Sequence, residues 1–169
     1  DAVVGPVTDS NHKVTVQLST DTIGYDTGVS TLTMNVGLTV VAGDTVSFTV
    51  PTDSPILSLS SYGALTDSIG TSSTKQNTDG TTTITDTFTK SGQFSQTVTL
   101  SVLSNSGSKV MDGTDYGTTT KQITWTVNGT AQTPLSITQT ISPSVKMTVP
   151  TRTEPSATTT TSVTTGTDY

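Results

Sequence analysis

The sequence predicts an all-β domain built as an antiparallel sandwich, and three observations carry that prediction. Apolar residues recur at every second position through most of the chain. Short clusters of turn-forming residues separate these runs. Thr, which is β-branched and stiff at χ1, is the commonest residue, while helix formers are scarce and Glu occurs once, as Glu154.

The alternating runs come in order. Val14-x-Val16-x-Leu18 opens the series, followed by Leu32-x-Met34-x-Val36-x-Leu38-x-Val40 and Val46-x-Phe48-x-Val50. Ile84 to Phe88, Val98-x-Leu100-x-Val102 and Ile123-x-Trp125-x-Val127 come next, and Leu135-x-Ile137 and Val145-x-Met147-x-Val149 are weaker members. Thr, Ser, Gln and Asn fill most intervening positions, so each strand has one dry and one wet face. Thr27-Gly28, Ala42-Gly43-Asp44, Ser91-Gly92, Ser104 to Gly107, Asp112-Gly113 and Asn128-Gly129 suit turns. Asp79-Gly80 reads as a tight hairpin turn of the primed type. Pro51 ends its strand because it has no amide to donate. The stretch Pro51 to Asn77 reads as a long connection with one strand, and Pro150 to Thr165 as a Thr/Ser/Pro-rich extended linker. Other Thr-x-Thr runs, such as Thr83 to Thr89, read as strand propensity dispersed along the chain.

Charge and composition exclude several classes. The 169 residues carry a net charge of −6 with a pI of about 4.3, and the few Lys are scattered. Nucleic acid and anionic membrane surfaces both require clustered cations. No apolar run is long enough to span a bilayer, so no membrane insertion is expected. The absence of Cys beside so much Thr and Asp suits the surface of a Gram-positive bacterium.

The segment Ala42-Gly43-Asp44-Thr45-Val46-Ser47-Phe48-Thr49-Val50-Pro51 resembles part of the N-terminal regions of Gram-positive wall adhesins. Asp79 to Thr85, Phe94 to Leu103 and Lys121 to Val127 resemble their following strands. The likeness, over roughly residues 7–130, is to the immunoglobulin-like first module of collagen- and fibrinogen-binding surface proteins. It implies an immunoglobulin-like antiparallel β-sandwich, extracellular and wall-anchored in the full-length protein. Residues 1–130 would form that module, 131–149 additional strands or the start of a second module, and 150–169 the linker or a terminal strand. Many relatives grip a host protein between two modules; only one complete module is legible here.

Candidate chemistry is sparse. His12 is the sole His, there is no Cys, and no Gly-x-Ser-x-Gly elbow presents a nucleophile, so no enzyme is expected. Asp112 and Asp115 are candidate oxygen ligands for Ca2+, without the spacing or terminal Glu of an EF-hand; no other cofactor is expected. Related wall proteins carry Lys–Asn isopeptide bonds, which need a protonated acid in an apolar core. Lys13, Asn128 and either Asp44 or Asp86 are the candidates, Asp86 being in phase with Ile84 and Phe88. Trp125, in phase with Ile123 and Val127, is read as core. Tyr62, Tyr116 and Asp115 lie in loops and are the candidate ligand-binding residues. The sequence therefore points to a monomeric adhesin domain for a host matrix protein or glycan. A stalk or spacer module and a carbohydrate-binding accessory domain are the alternatives.

Overall fold

The computed structural model describes residues 11–24, 28–103 and 117–141, and every regular element within them is a strand. These are β1 (Lys13–Leu18), β2 (Thr22–Gly24), β3 (Thr31–Val40), β4 (Thr45–Val50), β5 (Leu57–Ser61) and β6 (Gly70–Gln76). They continue with β7 (Thr82–Phe88), β8 (Gly92–Val102), β9 (Gly117–Val127), β10 (Thr130–Ala131) and β11 (Leu135–Ile141). Because side chains alternate along a strand, a period-two apolar pattern can bury only one face, and two such faces must meet. They do so as a four-stranded sheet, β1-β3-β8-β5, and a seven-stranded sheet, β2-β11-β9-β4-β7-β6 with β10 attached to β9. The chain is an all-β sandwich. Its pairings are antiparallel except that of β2 with β11, which is parallel.

The interior follows the alternation. Leu32, Met34, Val36, Leu38 and Val40 of β3 and Val98 and Leu100 of β8 are buried against Val46, Phe48, Val50, Ile84, Phe88, Ile123 and Val127 of the facing sheet. Each such burial contributes about 1.5–3 kcal/mol. Trp125 is core as expected: its ring stacks on Phe48 at 5.8 Å, and its Nε1–H donates to the Thr133 carbonyl at 2.8 Å.

In an immunoglobulin sandwich of the variable type, two extra strands widen one sheet. Here β6 and β7 widen the seven-stranded sheet beside β4, but they follow β5, the edge strand of the other sheet. The expectation of one strand between Pro51 and Asn77 is thereby corrected to two. The sequence GTSSTKQ of β6 has no apolar alternation because it is an edge strand and almost wholly exposed. The β6–β7 hairpin is also not a two-residue primed turn. Gly80 N–H donates to Asn77 O, Asn77 N–H to Thr81 O, and Gly80 takes φ +91°, which makes a three-residue loop ending in a glycine bulge. Asn128-Gly129 does form a primed turn, with both residues at positive φ.

The outer face of the seven-stranded sheet corrects the reading of dispersed Thr-x-Thr runs. Strand pairing sets Thr124, Thr49 and Thr83 side by side, then Thr126, Ser47, Thr85 and Ser73. Hydroxyls bond across the strands, Ser47 with Thr85 at 3.2 Å and Thr49 with Thr83 at 2.9 Å. The second weak run, Val145 to Val149, and the linker from Pro150 lie outside the described residues.

Candidate functional site: a groove between two sheet edges

Among the described residues β5 closes one sheet and β6 closes the other, and these leave the sandwich open along that side. Two adjoining hollows fill the opening. One, of about 450 Å³, is lined by Leu59, Ser60, Ser61, Tyr62, Gly63, Ala64 and Thr74. The other, of about 400 Å³, shares Leu59 and Thr74 and continues past Leu57, Thr82 and Leu103. Apolar side chains and hydroxyls mix along this groove, and none of its lining residues among those described is charged. Tyr62, expected from its loop position to contact a ligand, lies half-buried on this rim and packs against the core.

The rim, Tyr62 to Leu65, is held from inside. Gln96 Nε2 of β8 donates to Tyr62 O at 2.9 Å and to Gly63 O at 3.2 Å. Leu65 N–H donates to Ser72 Oγ of β6 at 2.9 Å. Gly63 takes φ +60°, and a Cβ there would stand 2.6 Å from Thr97 O, so no other residue fits without shifting the loop. Ser72 and Gln96 in turn both donate to Oδ1 of Asp86, at 2.6 and 3.1 Å. Asp86 is fully buried, facing inward from β7 as its phase implied. Burial pushes its carboxyl above the usual aspartate range, against the opposing pull of the Ser72 and Gln96 hydrogen bonds.

The isopeptide candidates lie in different surroundings. Lys13 lies on the wet face of β1, opposite in phase to buried Val14, over a groove with Thr15, Thr39 and Gln93. Asp44 and Asn128 do meet, at the β3–β4 corner: Asn128 Nδ2 donates to Asp44 Oδ1 at 3.1 Å. Asp44 Oδ2 accepts from Val41 N–H at 2.8 Å and pairs with His12 Nε2 at 2.9 Å. Burial works to raise the Asp44 carboxyl, but the Val41, Asn128 and His12 hydrogen bonds and the His12 charge together hold it below the usual range. Isopeptide chemistry needs a protonated acid beside both a Lys and an Asn. Asp44 has the Asn but favours the carboxylate; Asp86 favours the acid but bonds Ser72 and Gln96. Tyr116, Asp112 and Asp115 lie outside the described residues. Among the described residues no cluster of three acidic, His or Cys side chains could hold a metal, and no helix is long and apolar enough to cross a membrane. Ser72 and Gln96, which hold the rim, carry no signal in the sequence: Gln96 is one polar residue at an apolar phase of β8, and β6 has no strand pattern.

Protein-family models and curated proteins gave no match to the chain. Among solved structures, the fold is similar to the cohesin module of a family 33 glycoside hydrolase from Clostridium perfringens (TM-score 0.45, 12% identity, covering 77% of this chain and 96% of that one). It is also similar to CaCohA2 of Clostridium acetobutylicum, solved in solution (TM-score 0.41, 15% identity, 79% and 94% covered). What these neighbours share with the chain is a coarse sandwich likeness; the finer resemblance to wall adhesins rests on the sequence.

Proposed function

We propose that this chain is a binding module of a bacterial surface protein, and that its β5–β6 groove seats an extended segment of a host matrix protein. The observation that carries the reading is the groove itself, an uncharged hollow rimmed by Tyr62 and running between two edge strands. An extended segment there can add backbone hydrogen bonds along an open edge and set alternate side chains against Leu59 and Tyr62. A half-buried Tyr on a rigid rim is the kind of residue that dominates an interface. The adhesin resemblance of residues 7–130 supports the same class, and no catalytic role is assigned.

The test is binding of the purified chain to immobilised matrix proteins and to host glycans, with Ca2+ and with chelator. The expected result is saturable binding to a matrix protein, weakened about tenfold or more by Tyr62→Ala, which corresponds to about 1.4 kcal/mol. Binding indifferent to Tyr62→Ala would remove the groove as the site. Binding to glycans alone would favour a carbohydrate module, and silence across the set would favour a spacer. Loss on chelation alone would direct attention to Asp112 and Asp115.

A further inference from the structure

Four atoms at the centre of the rim network do not balance. Asp86 Oδ1 receives two donors, while Asp86 Oδ2 and Gln96 Oε1 are both buried without a hydrogen-bond partner among the described residues. Both orphans are acceptors, and they belong to two groups already joined by the Gln96 Nε2–H to Asp86 Oδ1 bond. A buried polar atom left unpaired is costly, so two of them on one contact call for a missing donor. One proton on Asp86 Oδ2 supplies it.

We propose that Asp86 and Gln96 form a reciprocal acid–amide pair across the sandwich, and that this pair is a pH-sensitive latch for the groove rim. Gln96 Nε2 donates to Oδ1, and the acid proton on Oδ2 turns Gln96 Oε1 from an orphan into an acceptor. With its carbonyl end so fixed, the Gln96 amide gives one N–H to Asp86 Oδ1 and shares the other between Tyr62 O and Gly63 O. Ser72 adds the third tie, taking Leu65 N–H while donating to Asp86. Loss of the proton leaves a buried carboxylate facing the amide oxygen, and the amide then has reason to turn or admit water, which releases Tyr62 and Gly63.

The surroundings give the ionised form little help. β4, β5 and β8 carry no ionisable side chain, and β3 and β7 carry none besides Asp86 itself. β6 contributes Lys75, which is exposed, and the rim loop contributes Tyr62 and Asp67. Asp44, just before β4, turns its carboxylate to Val41, Asn128 and His12. Burial, which favours the neutral acid, acts in the same direction as the orphaned acceptors. The latch is therefore closed at low pH and opens as pH rises through the raised Asp86 value.

This regulation rests on the groove being the binding site, but it can be tested without a partner. In the full chain labelled with 13C and 15N, the Asp86 carboxyl is followed by NMR as pH rises, together with the amides of Gly63, Ala64 and Leu65. The expected result is an Asp86 transition above the ordinary value of about 3.9, shared by the rim amides. Asp86→Asn, a neutral stand-in whose amide can donate where the acid does, is expected to keep the fold and abolish the rim transition. Gln96→Met is expected to keep the fold while removing the rim's response to Asp86. An Asp86 transition at or below the ordinary value would overturn the proposal, as would rim amides that ignore it. If the pair titrates as expected but Tyr62→Ala leaves matrix binding unchanged, the groove reading fails and the latch stands.

Discussion

Asp44 and Asp86 are both buried aspartates in one sandwich, and their surroundings push them in opposite directions. Asp44 stands at a corner, where a backbone amide, the Asn128 amide and His12 all point donors at its two oxygens. Asp86 stands in the seam between the sheets, where both available donors converge on one oxygen and the other has none. Burial opposes ionisation at both sites. The difference lies in how many donors reach each carboxyl and whether a positive charge is among them. Burial alone is a poor guide to what a buried acid does.

Breaking the seam is expected to have the largest effect. Asp86→Ala strands the Ser72 hydroxyl and the Gln96 amide and opens a void, so a loss of about 3 kcal/mol is expected in urea unfolding. Asp86→Asn should stay within about 1 kcal/mol of the parent at low pH, where the acid it mimics is protonated. A loss in Asp86→Asn as large as in Asp86→Ala would mean that charge, not a neutral donor, is what the seam requires.

At the corner, Asn128 binds Asp44 through Nδ2 and accepts from Thr45 N–H at 2.8 Å, while holding φ 49° in a primed turn. Asn128→Ala should lose about 2 kcal/mol, and Asn128→Gly less, because glycine takes that backbone angle without strain. Equal losses would show that the side-chain bonds alone matter.

Stability measured against pH sharpens the contrast further. The folded Asp44 value lies below its unfolded one, so its contribution is complete above about 3.9 and is lost as pH falls through the lower folded value. The gap between the parent and Asp44→Asn should therefore close in acid. The folded Asp86 value lies above its unfolded one, so its contribution is complete below about 3.9 and is lost as pH rises through the raised value. Asp86→Asn should gain on the parent in that direction. Two gaps moving the same way would refute the opposition. The smallest effect is expected from His12→Ala, about 0.5–1 kcal/mol in the same unfolding assay, since His12 is itself partly exposed and is one of several donors to Asp44.

Much of this fold was legible in the sequence because the central strands are amphipathic. Leu32 to Val40 and Ile123 to Val127 announce themselves by alternation, and so did the inward phase of Asp86. Strands that bury little were silent. β2 is three residues long, β6 is an exposed edge, and β9 begins at Gly117 although its first apolar core residue is Ile123. The groove was visible only through Tyr62. Its walls depend on β5 and β6 ending different sheets, and that follows from long-range pairing rather than from any local pattern. The exposure of Lys13, by contrast, is local: phase puts it on the wet face of β1, a reading the motif of Lys, Asn and acid does not contain.

The parallel pairing of β2 with β11 joins Thr22, Ile23 and Gly24 to Thr138, Gln139 and Thr140. Once β1 has parted from β3, a pull along the chain reaches β2 from its N-terminal side and β11 from its C-terminal side. Because the two strands run the same way, those forces are opposed along their shared axis, and the hydrogen bonds between them are loaded together in shear rather than peeled apart singly. Gly24 lets the backbones approach closely here, since a Cβ would fall 1.9 Å from Thr140 O. Under such a load the resistance of these three pairs would be a matter of unfolding rate under tension and would go unseen in an equilibrium titration.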